Sequence, residues 1–312
     1  MASSTAAALC SKNLSWFPGH MSKAILDLTS RQIARSHIII EVRDARLPIS
    51  SSNRELLQLV KSKRSIILFN KSDLADLSSC HRDKIFSYIQ RESTEMGVPM
   101  PILQFLSSGP SSMSRSDRQK LITHITKTLR DKSRFKTTSR LCMVVGIPNI
   151  GKSSILSGLR QCSKSFKIGP EPGVTRSIHD VKIRAESKGD PDIVFQDSPG
   201  ILPPSIDSAE TALKLSLINA IPSSVLGHGI TAQYLFEIMY SQTDNTFEEY
   251  LTAEAVRHSY YVKPGQNKHA ELDISRVARC YVEEFRKGRL GRYMLDEFEV
   301  NTDNQIQSNS CR

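Results

Sequence analysis

Short apolar runs alternate with longer amphipathic stretches over the first two thirds of the chain. The runs are Ile38–Val42, Ile66–Phe69, Ile102–Leu106, Leu141–Val145, Val181–Ala185 and Ile193–Gln196. Most are continuous rather than alternating, the pattern of strands buried on both faces. Helical patterns lie between most of them, which predicts a mainly parallel sheet with helices on both faces. The last two runs are joined by Glu186-Ser187-Lys188-Gly189-Asp190-Pro191-Asp192, a hairpin-like turn, so that pair is expected to be antiparallel at one edge. Gly109 to Ser116 is a Ser-rich connection. Beyond Pro203-Pro204 the strand pattern ends. Leu213, Leu217 and Ala220/Ile221 recur at helical spacing. So do Tyr234, Leu235, Ile238 and Met239, and then Ile274, Val277, Ala278, Tyr281, Val282 and Phe285. Asp273 suits an N-cap and Gly288 a helix stop. The expectation is an α/β domain over 14–206 and a smaller all-α domain over 207–298. A short targeting or disordered segment (1–13) and a disordered tail (299–312) are expected to flank them.

The chemistry lies where the apolar runs end. After Leu141–Val145 comes Gly146-Ile147-Pro148-Asn149-Ile150-Gly151-Lys152-Ser153, which matches G-x-x-x-x-G-K-S. Glycines let such a loop aim several backbone N–H groups at one phosphate. A Lys in this position reaches the β- and γ-phosphates and a Ser hydroxyl holds Mg2+. The helix pattern that starts at Ser153 adds its N-terminal dipole. Asn149, Ile150, Gly151, Lys152, Ser153 and Ser154 are the expected phosphate-side contacts. A Gly-rich turn without nucleotide is the alternative if the loop is taken alone.

Three further segments complete the set. Asp197-Ser198-Pro199-Gly200 follows Ile193–Gln196; Asp197 is expected to hold Mg2+ through water, and the Gly200 N–H to sense the γ-phosphate. Between it and the loop lies Pro172-Gly173-Val174-Thr175-Arg176, with Thr175 the candidate switch threonine that closes on Mg2+. Asn70-Lys71-Ser72-Asp73 ends the run Ile66–Phe69. A carboxylate at Asp73 can accept from guanine N1–H and from its exocyclic amine. Adenine lacks that donor pair, so the group would discriminate between the bases. Ser107-Ser108, after Ile102–Leu106, is the remaining candidate base contact, although a Ser pair after a strand is usually a turn.

The order of these motifs is permuted: the guanine-reading motif precedes the phosphate loop. Together they resemble the circularly permuted GTPases, and within them the ribosome-biogenesis branch of ribosome biogenesis GTPase A and its mitochondrial ribosome-associated counterpart. Trp16-Phe17-Pro18-Gly19-His20-Met21 looks like that branch's N-terminal signature, and Arg43-Asp44-Ala45-Arg46-Leu47-Pro48 like its D-A-R-x-P motif. The resemblance runs from about Leu14 to Arg292 and implies a permuted P-loop GTPase domain with GTP as substrate and Mg2+ as cofactor. Ser107-Ser108 departs from the more usual Ser-Ala. Ile201 occupies the position where many GTPases place a water-orienting Gln. The resemblance then implies His20 as the catalytic residue; without it, a lone His after Pro-Gly reads as a surface residue. The resemblance also makes Asn149 a candidate ligand for an activating K+, against the reading of a loop Asn that serves turn geometry.

Charge and cysteines narrow the setting. With 42 Lys and Arg against 32 Asp and Glu the net charge is +10, an excess that favours an anionic partner, RNA above all. Cys10, Cys80, Cys142, Cys162, Cys280 and Cys311 show neither paired nor metal-binding spacing, so a reducing interior is expected. No apolar run approaches the roughly 18 residues of a membrane span. Met1 to Ser15 is rich in Ser and Ala and has no acidic residue. Composition leaves organelle and cytosol open there. The resemblance implies mitochondria, in the matrix or on the matrix side of the inner membrane with peripheral membrane association; cytoplasm and plastid stay as alternatives. The implied partner is the large ribosomal subunit, its rRNA and ribosomal proteins, and not DNA. The competing reading is a GTP-dependent RNA-binding or scaffolding protein in which hydrolysis is incidental. In either case the permutation routes the segment after Gly200 straight into the helical domain, so movement of that switch is expected to reorient it.

Overall fold

The computed structural model describes residues 30–60, 63–108, 113–130, 139–161, 181–183, 192–203, 206, 208–241, 245–262 and 271–298. These fall into two compact units. One holds the described residues up to Pro203 together with 292–298; the other holds 206–291.

The first unit is built on a six-stranded sheet. Its strands are β1 (Ile38–Asp44), β2 (Arg64–Asn70), β3 (Ile102–Phe105), β4 (Ser139–Val145), β5 (Val181–Ile183) and β6 (Asp192–Asp197), in the order β3-β2-β1-β4-β6-β5. The first four neighbouring pairs are parallel, and β5 runs antiparallel to β6 at the edge, as the hairpin pattern predicts. β1 is buried along its whole length. Its register places Ile39 beside Met143 and Glu41 beside Ile67, so these residues share one face. Helices α1 (Arg54–Leu59) and α2 (Ser79–Met96) supply Leu56, Ile85 and Ile89 to the apolar clusters there. Between the two clusters sits a buried ion pair: Arg43 Nε and Nη2 donate to Glu41 at 2.8 and 3.0 Å, and Nη1 donates to the Pro48 carbonyl at 3.0 Å. An apolar strand pattern interrupted at alternate positions by Glu and Arg is thus satisfied internally.

Helices α3 (Arg115–Arg130) and α4 (Lys152–Gln161) also belong to this unit. Asn53 caps α1 by accepting from the Glu55 and Leu56 amides. Its own amide donates to the Ile201 carbonyl at 3.1 Å, which ties the segment after Gly200 to the start of α1.

The second unit is all-α: α5 (Ala209–Leu217), α6 (Ser223–Leu226), α7 (His228–Met239), α8 (Phe247–Arg257) and α9 (Ile274–Arg286). Asp273 caps α9 as its position predicts, accepting from the Arg276 amide at 2.9 Å. Rings of Phe236, Tyr240, Phe247, Tyr250 and Tyr281 pack at tilted angles with centroids 4.8 to 5.6 Å apart. Arg286 reaches across from α9 to the end of α5, donating to the Leu217 and Ser216 carbonyls at 3.0 and 2.7 Å. The expected helical domain ran to residue 298. Residues 292–298 instead pack on the first unit, through contacts that no helical period encodes.

Candidate nucleotide-binding site

Among the described residues, every candidate segment follows the carboxyl end of a parallel strand. Ser107-Ser108 follows β3, Asn70–Asp73 closes β2, Asp44–Arg46 closes β1, the phosphate loop follows β4, and Asp197–Gly200 closes β6. In an open α/β sheet this edge is where ligands bind, because all the strand-to-helix loops gather there.

The guanine-side residues are locked to the phosphate loop. Asn70 is fully buried at the end of β2. Its Nδ2 donates to the Ile150 carbonyl at 2.8 Å, while its Oδ1 accepts from the Ser108 amide at 3.0 Å and hydroxyl at 2.9 Å. One side chain therefore joins three loops. Gly151 (φ +96°) passes so close to the Asn70 amide that a Cβ there would collide with it. Lys71, at φ +58°, donates to the Asn149 carbonyl at 3.0 Å. Ser72 donates its amide to the Leu106 carbonyl at 3.1 Å. The Ser107 hydroxyl donates to Asp73 Oδ1 at 2.5 Å, so the Ser pair does meet the candidate base-reading carboxylate.

On the phosphate side, α4 starts at Lys152, with Ser153 and Ser154 exposed in its first turn. The Lys152 ammonium donates to the Gly146 and Ile147 carbonyls at 3.1 and 2.8 Å. Burial lowers its pKa to about 8, with Asp197 opposing the shift. Ser153 Oγ donates to Asp197 Oδ2 at 2.9 Å. The other oxygen, Oδ1, is buried and has no hydrogen-bond partner. A hydroxyl beside an unsatisfied carboxylate is a donor set suited to a hard, oxygen-seeking cation. No group of three or more His, Cys, Asp or Glu gathers among the described residues. Two protein oxygens suffice for Mg2+, which draws its other ligands from phosphates and water. Gly200 lies against the loop: a Cβ on it would sit 2.6 Å from Pro148 Cα. Asn149, exposed and at φ +58°, adopts the left-handed conformation that Asn tolerates.

Ile201 does not face this edge. It is 2 % exposed, within the cluster of Ile33, Ile39, Leu56, Val60, Met143 and Val145. The position that holds a water-orienting Gln in many GTPases is here part of the core. His20 and Thr175 lie outside the described residues.

The sequence reading missed what Asp44 does. It is fully buried and accepts from Arg46 Nε and Nη2, both at 2.9 Å, with Lys71 Nζ 3.2 Å away. Burial pushes its pKa up, but the Arg46 and Lys71 charges and the Arg46 hydrogen bonds outweigh it and hold it at about 2. Asp44 thus braces the lysine that holds the Asn149 carbonyl. The signal in the chain was the D-A-R-x-P string Asp44-Ala45-Arg46-Leu47-Pro48 at the end of an apolar run, which marks the position without its role.

A family model described as a 50S ribosome-binding GTPase matches residues 141–262. Mitochondrial GTPase 1 of Schizosaccharomyces pombe is 31 % identical over 314 residues, covering 92 % of this chain and 90 % of that protein. Mitochondrial ribosome-associated GTPase 1 of Ictalurus punctatus is 30 % identical, covering 90 % of this chain and 92 % of that one. A GDP-bound structure of YlqF superimposes with a TM-score of 0.56 at 21 % identity, covering 86 % of this chain and 98 % of that one. Full-length kinship of this kind, with the motif order permuted while the parts still meet at one sheet edge, means that the chain is a GTP hydrolase and belongs to the circularly permuted GTPases, in the branch of the mitochondrial ribosome-associated GTPases.

Proposed function

We propose that this GTPase is an assembly factor for the large subunit of the mitochondrial ribosome, acting in the matrix. The GTP form binds the immature particle and hydrolysis releases it. The observation that carries the nucleotide half of this reading is the convergence of Asp73, Lys152, Ser153 and Asp197 on the carboxyl edge of one sheet. The ribosomal half is supported by the names of the relatives, which associate them with mitochondria and with the ribosome, and by the net charge of +10.

In this reading Asp73 accepts from the guanine base, with Ser107 steadying its carboxylate. Asn70, Lys71, Ser72 and Ser108 frame the base pocket. Asn149, Ile150, Gly151, Lys152 and Ser154 surround the phosphates. Ser153, and Asp197 through water, would hold Mg2+, which would neutralise charge developing on the phosphoryl oxygens. Thr175 joins them in the triphosphate state, and Gly200 carries the presence of the γ-phosphate towards residue 201. Ile201 cannot orient water from the core; the family resemblance assigns that task to His20. Asn149 would help hold a K+ ion, which would supply the positive charge an arginine finger supplies elsewhere.

The test is GTP turnover in potassium and in sodium buffer, with and without purified mitochondrial large subunits. Stimulation by the particle, larger in potassium, is the expected result, and His20→Ala is expected to remove most of it. A slow rate that ignores the particle, with the particle still bound, would favour a scaffold in which turnover is incidental.

A further inference from the structure

The chain leaves the nucleotide-binding unit after Pro204 and re-enters it at Arg292. Residues 292–298 then run as a strap over two loops of the candidate site. The Tyr293 amide donates to the Leu74 carbonyl and its carbonyl accepts from the Asp76 amide, both at 3.3 Å. The Leu295 amide donates to the Arg46 carbonyl at 2.9 Å. Met294 and Phe298 pack on the cluster around Ile67 and Phe69. Asp296, 6 % exposed, accepts from the adjacent amides of Ile49 and Ser50 at 2.7 and 2.9 Å, and from the Ser50 hydroxyl.

Both loops under the strap lead to the nucleotide. Leu74–Asp76 directly follows Asp73. Arg46–Ser50 directly follows Asp44, and Arg46 is gripped from two sides: its carbonyl by Leu295, its amide and guanidinium by Asp44. Asp44 in turn pairs with Lys71, which holds the Asn149 carbonyl of the phosphate loop. Bonds from a buried carboxylate to consecutive amides are charge-assisted and stronger than neutral ones, so Asp296 is the fixed point of this series.

We propose that Asp296 is a positioning residue for the bound guanine nucleotide: by pinning Ile49 and Ser50 it holds Asp44, and through Lys71 the Asn149 side of the phosphate loop. The strap thereby gives the chain that emerges from the helical unit a direct grip on nucleotide retention. This rests on the reading of Asn70–Asp73 as the base site.

The experiment is the rate of GDP release from the full-length protein, read with a fluorescent GDP. Asp296→Ala is expected to release GDP about tenfold faster, within the range of coupling between linked sites. Asp296→Glu is expected to recover part of the loss. Ser50→Ala, which removes only one donor, tests the same grip with little risk to folding and is expected to accelerate release about twofold. A cycle with Asp44→Asn separates positioning from general loosening. If Asp296 acts through Asp44, the double variant releases GDP no faster than Asp44→Asn alone. Unchanged release in Asp296→Ala and Ser50→Ala, or effects that multiply in the double variant, would overturn the proposal. Asp73→Asn checks the reading underneath it. The change replaces an acceptor with an amide that can donate to the 2-oxo group of xanthine. A shift from GDP towards xanthosine diphosphate supports the base site; its absence overturns that reading whatever the Asp296 variants do.

Discussion

At Lys152, burial and anion binding pull in opposite directions. Burial lowers its pKa to about 8. Phosphate oxygens beside the ammonium favour the charged form and raise it again. Above pH 8 the free site therefore has to take up a proton when nucleotide binds. Affinity is expected to fall with rising pH by up to about tenfold per unit, and to be flat below pH 7. GDP titrations from pH 6.5 to 9 check this; Lys152→Arg, whose guanidinium stays charged, is expected to flatten the profile. Constant affinity of the natural protein up to pH 9 would contradict it. Asn70 carries a different kind of constraint. Asn70→Ala leaves the buried Ile150 carbonyl and Ser108 amide without the partner they have here. The expected cost is about 1–3 kcal/mol per stranded group, seen as a lower melting temperature and at least tenfold weaker GDP binding. Wild-type affinity in that variant would mean that the three loops hold their places without it.

At the scale of elements, Arg286 does for α5 what a cap residue does for most helices. The last carbonyls of a helix lack intrahelical partners, and here a side chain from α9 takes two of them. Arg286→Met keeps the stem but strands the Leu217 carbonyl and leaves the Ser216 carbonyl with the Asn219 amide, and is expected to destabilise the helical unit by about 1–3 kcal/mol in denaturant unfolding. A loss below 0.5 kcal/mol would show that water replaces the guanidinium. The elements themselves could be read from the chain wherever one periodicity dominated. The apolar runs became β1 to β6, and Asp273 capped α9. What periodicity could not reveal were pairings decided by partners remote in the chain. Asp296 meets Ser50 across 246 positions, and in the sequence it is one acid near a C-terminus. Glu41 and Arg43 look like interruptions of a strand until their register shows them pairing on one face. The candidate site divides in the same way. Its motifs were visible as short strings because phosphate and guanine chemistry dictate residue types at fixed spacing. Asp44 was visible within its D-A-R-x-P string, but its role was not, because its task is to hold another side chain.

At the scale of the whole molecule, permutation changes what the ends of the sheet are attached to. β6 ends in Asp197 and the chain passes Ile201 and Pro203 before it enters the helical unit. It comes back at Arg292 to the loops beside Asp73 and Asp44. The helical unit is therefore an insertion with two tethers, one leaving from the phosphate side and one returning to the base side. A single cut distinguishes them. A protease site placed between Pro204 and Ser205 severs only the phosphate-side tether, while the strap remains docked by Tyr293, Leu295 and Asp296. GDP binding and basal hydrolysis are expected to survive the cut, because every residue of the candidate site stays on its strand. Stimulation by the large subunit is expected to disappear, because movement of Gly200 and Ile201 no longer pulls on the helical unit. If stimulation survives the cut and is lost instead in Asp296→Ala, the strap carries the signal and the partner acts on the base side of the nucleotide. If it survives both, the helical unit does not transmit it, and the particle must act on the nucleotide-binding unit directly.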